Sequence, residues 1–275
     1  MGEVLRRGAA YLAERGSPSP RLDADLLLAH ALGVERLALY THPERPLTPA
    51  ELDRARDLVA RRGRREPVAY LTGSRAFRRL RLGVGPGVLV PRPETELLAE
   101  WALEVAAPGA AVLDWGTGSG AVALALADEG DGLRVTALDR SQDALALARA
   151  NGERLGLAVE WRVSDGFAGV AGRRFELVAA NPPYLSPADL AAAPPELRFE
   201  PRDALVAGPT GLEAIEAIAA QAPAHIEPGG MLLVEVGEGQ AEAAAAAFRR
   251  AGLADAGHRA DLAGIARVVG GRAPA

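Results

Sequence analysis

The chain has no cysteine and no lysine among its 275 residues, and it has only four histidines. Without cysteine there are no disulfides, no thiolate nucleophiles and no thiolate metal ligands, and the scattered histidines give no metal-ligand spacing. Every basic side chain is an arginine. We therefore expect no metal site, and any chemistry must use carboxylates, amides, hydroxyls or a bound cofactor.

Long apolar runs are also missing. No stretch approaches the roughly 20 uninterrupted apolar residues that a helix needs to cross a bilayer, and residues 1–7 lack the apolar region of a signal peptide. The sequence thus predicts a cytoplasmic protein with no membrane partner. Its hydrophobic content of 49% is still enough to bury a sizeable core.

The charge is slightly negative and unevenly distributed. The formal net charge of −5 argues against a protein that wraps a nucleic acid by its phosphates, so we expect no direct nucleic-acid substrate. Residues 1–75 carry 13 arginines and 10 acids, whereas residues 76–275 carry 18 and 26. The stretch from Arg54 to Arg81 contains ten arginines and two acids. It is either a solvated helix face and hairpin or a docking surface for an RNA-rich partner.

Residues 1–75 are predicted to form a small helical domain. Ser19 and Pro20 open an apolar-periodic segment that Gly33 can close as a C-terminal cap. Thr48-Pro49-Ala50-Glu51 has the form of a capping box with proline at the first helical position, and the helix should run to about Arg62. Residues 76–93 follow as a linker, in which residues 76–90 alternate and turn like a β-hairpin.

After Pro93 the pattern changes to alternating strands and helices, which is typical of a parallel α/β sheet. We predict strands at about 110–114, 134–139, 158–164, 175–180 and 230–236. We predict helices at about 94–106, 119–129, 141–155, 211–225 and 239–251. A last pair of strands near 253–259 and 266–271 could close the sheet antiparallel. Residues 94–275 would then form one α/β domain.

A glycine-rich loop follows the first predicted strand of this domain. Its residues are Trp115, Gly116, Thr117, Gly118, Ser119 and Gly120. Glycines let the backbone approach a ligand, and the helix that follows offers free N–H groups. A dinucleotide site would use G-x-G-x-x-G, but here the third glycine comes one residue early and Asp114 precedes the loop. That carboxylate would repel a phosphate and suits a cationic amino-acid group.

Acidic residues end the next two predicted strands as well. Asp139 is placed to accept hydrogen bonds from ribose hydroxyls, and Asp165 from an adenine amine. Taken singly, each acid could be a solvated strand-end or helix-capping residue. Together, three acids at successive strand ends describe a ligand with a positive charge, a ribose and an adenine. The sequence therefore predicts S-adenosylmethionine as cofactor, with S-adenosylhomocysteine as product.

The fourth predicted strand ends in Asn-Pro-Pro-Tyr at residues 181–184. The prolines Pro182 and Pro183 stiffen the turn, so Asn181 points from a fixed frame into the crevice that holds the cofactor. The Asn181 oxygen and the Pro182 carbonyl can accept both N–H bonds of a planar amino group, and Tyr184 can stack on it. These acceptors stabilise the positive charge that develops on nitrogen during methyl transfer. The motif does not distinguish a nucleobase amine from a glutamine amide.

Together with this tetrad, Leu-Val-Pro-Arg-Pro-Glu-Thr-Glu at residues 89–96 resembles the PrmC/HemK family of protein-(glutamine-N5) methyltransferases. Nearly the whole chain is similar. Further matching segments are residues 66–73, 114–120, 143–151, 200–205, 229–237 and 261–264. The resemblance implies a seven-stranded class I, Rossmann-like methyltransferase domain behind a helical domain that helps dock the substrate. The implied substrate is the Gly-Gly-Gln glutamine of class 1 peptide chain release factors.

The resemblance also implies roles for individual residues. Gly116 to Gly120 would line the methionine moiety, Asp139 the ribose, and Asn181 to Tyr184 the glutamine amide. Asp165, Gly166 and Phe167 would surround the adenine. Gly166 departs from many relatives, which carry a large and often aromatic residue there, so Phe167 would have to supply that contact or it would be weaker.

Four other functions can be compared with methylation of a release factor. An adenine-N6 nucleic-acid methyltransferase would need a basic groove and an insert that recognises its target, whereas the tetrad-bearing region here is acidic and its connections are short. An enzyme that methylates a glutamine of a ribosomal protein is a closer alternative, which the motifs do not exclude. A catalytically inactive cofactor-binding module would not need to keep Asn181. A dehydrogenase disagrees with the glycine spacing.

Overall fold

The computed structural model describes all residues, 1–275, and the chain divides into two compact units. The first unit contains Met1–Ser74 together with Pro194–Phe199, and the second contains Arg75–Ala193 together with Glu200–Ala275. The sequence did not indicate that a six-residue segment from the middle of the chain belongs with the N-terminal helices. The functional division into residues 1–75, 76–93 and 94–275 stays a prediction. No helix is both long and apolar enough to span a bilayer.

The first unit is built of helices, as its sequence predicts. They are α1 (Gly2–Glu14), α2 (Pro20–Leu32), α3 (Ala38–Thr41), α4 (Pro49–Gly63) and α5 (Val68–Thr72). Leu12 and Leu27 are completely buried between them. The Thr48 side chain accepts from the Glu51 backbone N–H, and the Glu51 carboxylate accepts from the Thr48 N–H at 2.8 Å, so the capping box is present. Gly33 ends α2 with a φ of 65°, a left-handed conformation that favours glycine.

A buried ion-pair cluster ties the segment Pro194–Phe199 into the first unit. Arg62, which is 4% exposed, contacts Asp23 at 2.7 Å and Glu196 at 2.9 Å. Arg65 also reaches Glu196, at 2.8 Å. Because a buried charge is costly unless it is paired, these partners depend on one another, and losing one leaves the others uncompensated.

The second unit begins with a short hairpin, β1 (Ser74–Phe77) and β2 (Leu80–Gly83), whose first residue belongs to the other unit. The predicted hairpin extended to residue 90, but residues 84–90 form no strand. Gly85, Pro86 and Gly87 turn the chain, and Val88 and Val90 bury their side chains outside any strand. The alternating apolar residues here belong to a buried loop. Side chains that a loop buries can alternate with exposed ones in the same way as in a strand, and this alternation suggested a strand.

The remaining elements alternate as expected. The helices are α6 (Thr95–Val105), α7 (Ala121–Glu129), α8 (Gln142–Leu155), α9 (Pro187–Ala192), α10 (Glu213–Gln221) and α11 (Ala241–Arg250). The strands are β3 (Ala111–Trp115), β4 (Arg134–Asp139), β5 (Glu160–Val163), β6 (Phe175–Ala180), β7 (Ile226–Glu235), β8 (Ala254–Ala260) and β9 (Ala266–Arg272). Strand β7 starts four residues before its predicted start, because Gly230 lets the chain continue through a turn-like Pro-Gly-Gly sequence. A Cβ at Gly230 would lie 2.7 Å from the Glu176 carbonyl oxygen.

Seven of these strands form one sheet in the order β5-β4-β3-β6-β7-β9-β8. Strands β3 to β7 are parallel, and β9 runs antiparallel to both β7 and β8. This confirms the predicted parallel α/β sheet with an antiparallel end. Helices cover both faces, so Val112 and Val178, in neighbouring strands, are fully buried. The strand order reverses between β3 and β6, where the carboxyl ends of the strands leave a crevice.

Asn151 on α8 forms hydrogen bonds with both the hairpin and the glycine loop. Its Nδ2 donates to the carbonyl oxygens of Gly83 and Ser119, both at 3.0 Å, and its Oδ1 accepts from the Gly83 N–H at 2.7 Å. The side chain is 2% exposed. Buried backbone groups would lose their partners without it, and each such loss costs about 1–3 kcal/mol.

We expect Asn151→Ala to lower the free energy of unfolding by about 2–4 kcal/mol, because it leaves these buried backbone groups unpaired. Denaturant unfolding followed by circular dichroism measures this. Glu153→Ala, an exposed site on the same helix, is the matched control and should change the free energy by less than about 0.5 kcal/mol. Equal stabilities for the two variants would contradict the conclusion that the hydrogen bonds of Asn151 stabilise the fold.

Candidate active site

A cavity of about 790 Å³ opens at the carboxyl ends of β3, β4 and β6. It brings together most of the residues that the sequence singled out. Those that line it are Asp114, Gly116, Thr117, Gly118, Ser119, Asp139, Asp165, Gly166, Asn181 and Pro183. Gly120, Phe167, Pro182 and Tyr184 are not part of its lining. The assigned roles of all these residues stay predictions.

The glycine loop presents bare backbone to the cavity. Gly116 and Gly118 have φ angles of 73° and 56°, which favour glycine. A Cβ built on Gly118 would meet no atom within 4 Å, and one on Gly116 would meet only the Asn181 carbonyl oxygen at 3.9 Å. The space that these side chains would fill is therefore open to a ligand. Gly120 differs, because its Cβ would crowd Leu124 at 3.0 Å, so this glycine serves packing of α7.

Asp139 holds the glycine loop as well as facing the cavity. Its Oδ2 accepts from the Gly118 N–H and its Oδ1 from the Ser141 N–H, both at 2.8 Å. Each carboxylate oxygen retains a further acceptor position. The residue can thus fix the loop and still accept from a ligand hydroxyl.

Asp114 is 1% exposed at the end of β3. Its Oδ2 accepts from the Thr117 hydroxyl at 2.6 Å and from the Ala123 N–H at 3.0 Å, which braces the loop against α7. Burial raises the pKa of this carboxyl to about 7, while the two hydrogen bonds act in the opposite direction. The residue supports the loop internally in addition to lining the cavity.

This raised pKa predicts a pH-dependent stability. The folded protein holds an extra proton between the ordinary pKa of 3.8 and about 7, so the resulting stabilisation is complete below pH 4 and is lost as the pH rises through 7. Asp114→Asn cannot titrate. Relative to the wild type, its free energy of unfolding should rise between pH 4 and pH 8 by on the order of 4 kcal/mol. Urea unfolding across this range, with exposed Asp143→Asn as control, measures the difference; a pH-independent difference would refute it.

The region predicted for adenine divides into an exposed and a buried part. Asp165 is exposed and Gly166 is half-buried at the cavity wall. Phe167 is 3% exposed and stacks on His225 with ring centroids 4.7 Å apart. Gly166 has a φ of 59°, a conformation that strains any larger residue. The departure from the family at this position therefore matches its backbone conformation.

The Asn181 amide is fixed by a residue 86 positions away. Its Nδ2 donates to the Thr95 hydroxyl oxygen at 3.0 Å, which leaves Oδ1 available as an acceptor on the cavity side. Thr95 is 3% exposed and is the first residue of α6. Thr95 belongs to the motif at residues 89–96, but nothing in the sequence around it indicates that it contacts Asn181.

Tyr184 is held through its main chain. The Gln240 side chain donates to the Tyr184 carbonyl oxygen at 2.9 Å and accepts from the Gly237 N–H at the same distance. A Cβ on Gly237 would lie 3.1 Å from the Tyr184 ring. Burial raises the pKa of the Tyr184 phenol to about 12, so this side chain stays neutral at ordinary pH. Gln240 is a second supporting residue that the sequence analysis missed.

A third supporting residue is Glu200, which holds the segment whose residues 87–89 and 91 line the cavity. Its Oε2 accepts from the Val90 N–H at 3.0 Å, and its Oε1 accepts from Arg92 at 2.5 Å. These partners are separated by about 110 residues in the chain. The motif at residues 200–205 was a signal of importance, but nothing local indicated what Glu200 would contact.

A wider and shallower cleft of about 880 Å³ lies at the opposite edge of the same sheet. Its lining includes the first residues of β3, β4 and β5, namely Ala111, Arg134 and Glu160. Ligands of open α/β sheets bind at the carboxyl ends of the strands, and this cleft lies at their amino ends. The smaller cavity, with its converging carboxylates and glycine loop, is the candidate active site.

Comparisons with known proteins identify the families that this chain matches. Residues 3–73 match the family described as PrmC N-terminal domain, and residues 93–193 match the Methyltransferase small domain. The release factor glutamine methyltransferase of Geobacter sulfurreducens is 45% identical over 271 residues, covering 98% of this chain and 95% of that protein. The protein of the same name from Burkholderia pseudomallei is 47% identical over 271 residues, covering 94% of each chain.

A solved structure shares the fold. The 16S rRNA N2 G1207 methyltransferase of T. thermophilus, in complex with AdoMet and guanosine, superimposes with a TM-score of 0.55 at 18% identity. The match covers 73% of this chain and 49% of that one. The methyltransferase fold and the family resemblance seen in the motifs are both confirmed. The chain belongs to the release factor glutamine methyltransferase family.

Proposed function

We propose that this protein transfers a methyl group from S-adenosylmethionine to the side-chain N5 nitrogen of the glutamine in the Gly-Gly-Gln motif of class 1 release factors. One observation carries the proposal: Asn181, with its amide oxygen free to accept, lines the same cavity as the open glycine loop and the strand-end carboxylates. A release factor as substrate also implies a cytoplasmic location.

The residues present fit S-adenosylmethionine. Gly116 and Gly118 leave open space where side chains would stand, which suits the methionine part of the cofactor. Asp139 has spare acceptor positions for ribose hydroxyls, and exposed Asp165 can accept from the adenine amine. When bound, the cofactor supplies a methyl group activated by a sulfonium. Asp114 lines the same cavity and also accepts from Thr117 and Ala123, so it would attract a cationic amino group in its ionised form, above its pKa of about 7.

The Asn-Pro-Pro-Tyr turn would hold the substrate amide. The nitrogen of a carboxamide is a weak nucleophile, because its lone pair is delocalised into the carbonyl. The Asn181 oxygen and the Pro182 carbonyl would accept its two N–H bonds and stabilise the positive charge that develops as the new N–C bond forms. The neutral, mostly buried Tyr184 would flank the amide plane without adding charge. Loss of one proton after transfer then yields the neutral methylated amide.

The N-terminal helical unit would help to dock the release factor, as the family resemblance implies. Much of the charge in the Arg54–Arg81 stretch is already paired. The arginines in ion pairs are Arg56, Arg61, Arg62, Arg65, Arg78 and Arg79. Arg62 and Arg78 form buried or half-buried ion pairs, so they stabilise the fold. Any contribution of this stretch to docking would come from exposed arginines such as Arg54 and Arg64.

The test is methyl transfer from radiolabelled S-adenosylmethionine to four separate substrates. These are a class 1 release factor, the same factor with its Gly-Gly-Gln glutamine changed to alanine, purified ribosomal proteins, and a mixed DNA and RNA pool. We expect label on the unaltered factor alone. Label on the altered factor, on ribosomal proteins or on nucleic acid would assign the same chemistry to a different substrate.

A further inference from the structure

Two segments that are distant in the sequence form part of the cavity lining. One contributes residues 87–89 and 91. The other is the segment of residues 200–207, whose lining residues are Pro201, Asp203, Ala204, Val206 and Ala207. Neither segment belongs to an α-helix or to the seven-stranded sheet. Contacts between side chains and backbone therefore have to fix the distance between them.

Glu200 joins these two segments. It directly precedes Pro201, and its carboxylate reaches the other segment, where Oε2 accepts from the Val90 N–H at 3.0 Å and Oε1 accepts from Arg92 at 2.5 Å. The Glu200 side chain is completely buried and Arg92 is half-buried. A buried carboxylate is costly unless it is paired, so these contacts hold residues 87–91 and 200–207 in one arrangement.

The 200–207 segment is attached at two further points. Leu185, which follows the Asn-Pro-Pro-Tyr turn, forms two backbone hydrogen bonds with it, at 2.9 and 3.0 Å. Asp203 forms an ion pair at 3.1 Å with Arg140, the residue after Asp139. Both side chains of this pair are exposed, so it contributes little. Glu200 is thus the buried side-chain attachment of a segment that passes both the tetrad and the proposed ribose acceptor.

We propose that Glu200 is a positioning residue for the cofactor, which holds residues 87–91 and 200–207 at the spacing that retains S-adenosylmethionine in the cavity. The inference rests on the proposed function, because it takes S-adenosylmethionine to occupy this cavity. Glu200 does not itself line the cavity, so it acts through the segments that it connects.

Other contacts hold the groups that are assigned to the chemistry and to the ribose. Asn181 is bonded to Thr95, and Asp139 accepts from the Gly118 N–H. Loss of the Glu200 carboxylate leaves these contacts in place. The expected effect is therefore faster loss of the cofactor, with little change in kcat once cofactor and release factor are saturating.

The experiment measures the dissociation rate and the Kd of S-adenosylmethionine by stopped-flow fluorescence, for which Trp115 in the cavity lining supplies the signal. Glu200→Gln keeps an oxygen for the Val90 N–H but turns an NH₂ donor toward Arg92, which is also a donor. Because a hydrogen bond between charged groups is lost, we expect the dissociation rate and the Kd to rise about tenfold. The value of kcat at saturation should stay within about threefold of the wild type.

Hydrogen–deuterium exchange of the cofactor-free protein gives a second readout. In Glu200→Gln, exchange should become faster in residues 87–92 and 200–207 and stay unchanged in the strands of the sheet. Glu242→Gln is the matched control, because it also removes a carboxylate from an arginine, Arg249 at 2.7 Å, but at an exposed position. It should behave as the wild type in both measurements.

Substitutions of Arg92 test the same contact from its half-buried side if Glu200→Gln does not fold. Arg92→Met removes the charge and should raise the Kd about tenfold, whereas Arg92→Lys keeps it and should return the Kd to within about threefold of the wild type.

A wild-type Kd and dissociation rate in Glu200→Gln or in Arg92→Met would overturn the inference alone. Faster exchange throughout Glu200→Gln, instead of in the two segments, would also overturn it, since the residue would then stabilise the whole fold. A wild-type protein that binds no S-adenosylmethionine would instead overturn the proposed function, and this inference with it.

Discussion

Replacing Asn181 with alanine is expected to lower kcat for methylation of a class 1 release factor by about 10³-fold. Removing one preorganised group that stabilises transition-state charge typically costs 10²- to 10³-fold. Asn181 also orients the substrate nitrogen, and its side chain is held by Thr95 in a single orientation. The turn itself should persist, because Pro182 and Pro183 fix it and Gln240 holds the Tyr184 carbonyl.

Single-turnover transfer of a tritiated methyl group, at saturating cofactor and release factor, measures this loss directly. Calorimetric titration of Asn181→Ala with S-adenosylmethionine should give a Kd within about threefold of the wild-type value, since the Asn181 main chain next to Gly116 is unchanged. A variant that binds cofactor normally and still methylates within tenfold of the wild-type rate would remove Asn181 from the proposed catalytic role.

Replacing Asp139 with alanine is expected to raise the Kd for S-adenosylmethionine about 100-fold. The variant loses the proposed acceptor for the ribose hydroxyls, and each hydrogen bond to a charged group contributes roughly 1.5–3 kcal/mol. It also frees the Gly118 N–H and the Ser141 N–H, both bonded to this carboxylate at 2.8 Å. The glycine loop then loses the tether that shapes its open backbone.

Calorimetry or equilibrium dialysis with S-adenosylmethionine measures the effect, and circular dichroism checks that the fold remains. Asp143→Ala is the matched control, because this exposed acid lies four residues further along and does not line the cavity. Asp139→Asn should fall between the wild type and Asp139→Ala, since its NH₂ group meets one of the two backbone donors. An unchanged Kd in Asp139→Ala would exclude Asp139 from cofactor binding.

The sheet and the helices of the second unit could be predicted because their signals are local. The strand ending at Asp139 and the strand from residue 175 to 180 were predicted at the positions observed. Apolar runs bounded by glycine, proline or acids identify buried parallel strands regardless of what packs on them. The prediction failed at residues 84–90, where an apolar alternation belongs to a buried loop, and at the start of β7, where Gly230 permits a close strand contact.

The position of the site was also a local inference. In a parallel α/β sheet, residues at the carboxyl ends of strands share one edge, so Asp114, Asp139 and Asn181 had to converge once the strands were placed. The sequence by itself thus determined the fold class, the family and the edge of the sheet that carries the candidate site. It also indicated the Thr48 capping box, because such a box forms between residues three positions apart.

Only the tertiary structure decided how the site is supported. Thr95 meets Asn181 across 86 residues, and Glu200 meets Val90 across 110. Within the helical unit, Glu196 likewise forms an ion pair with Arg62, which is distant from it in the sequence. Such pairings depend on the relative placement of whole elements, which a local pattern does not encode. Asp114 and Phe167 also turned inward, since packing around them, and not their residue type, determines which of their atoms a ligand could reach.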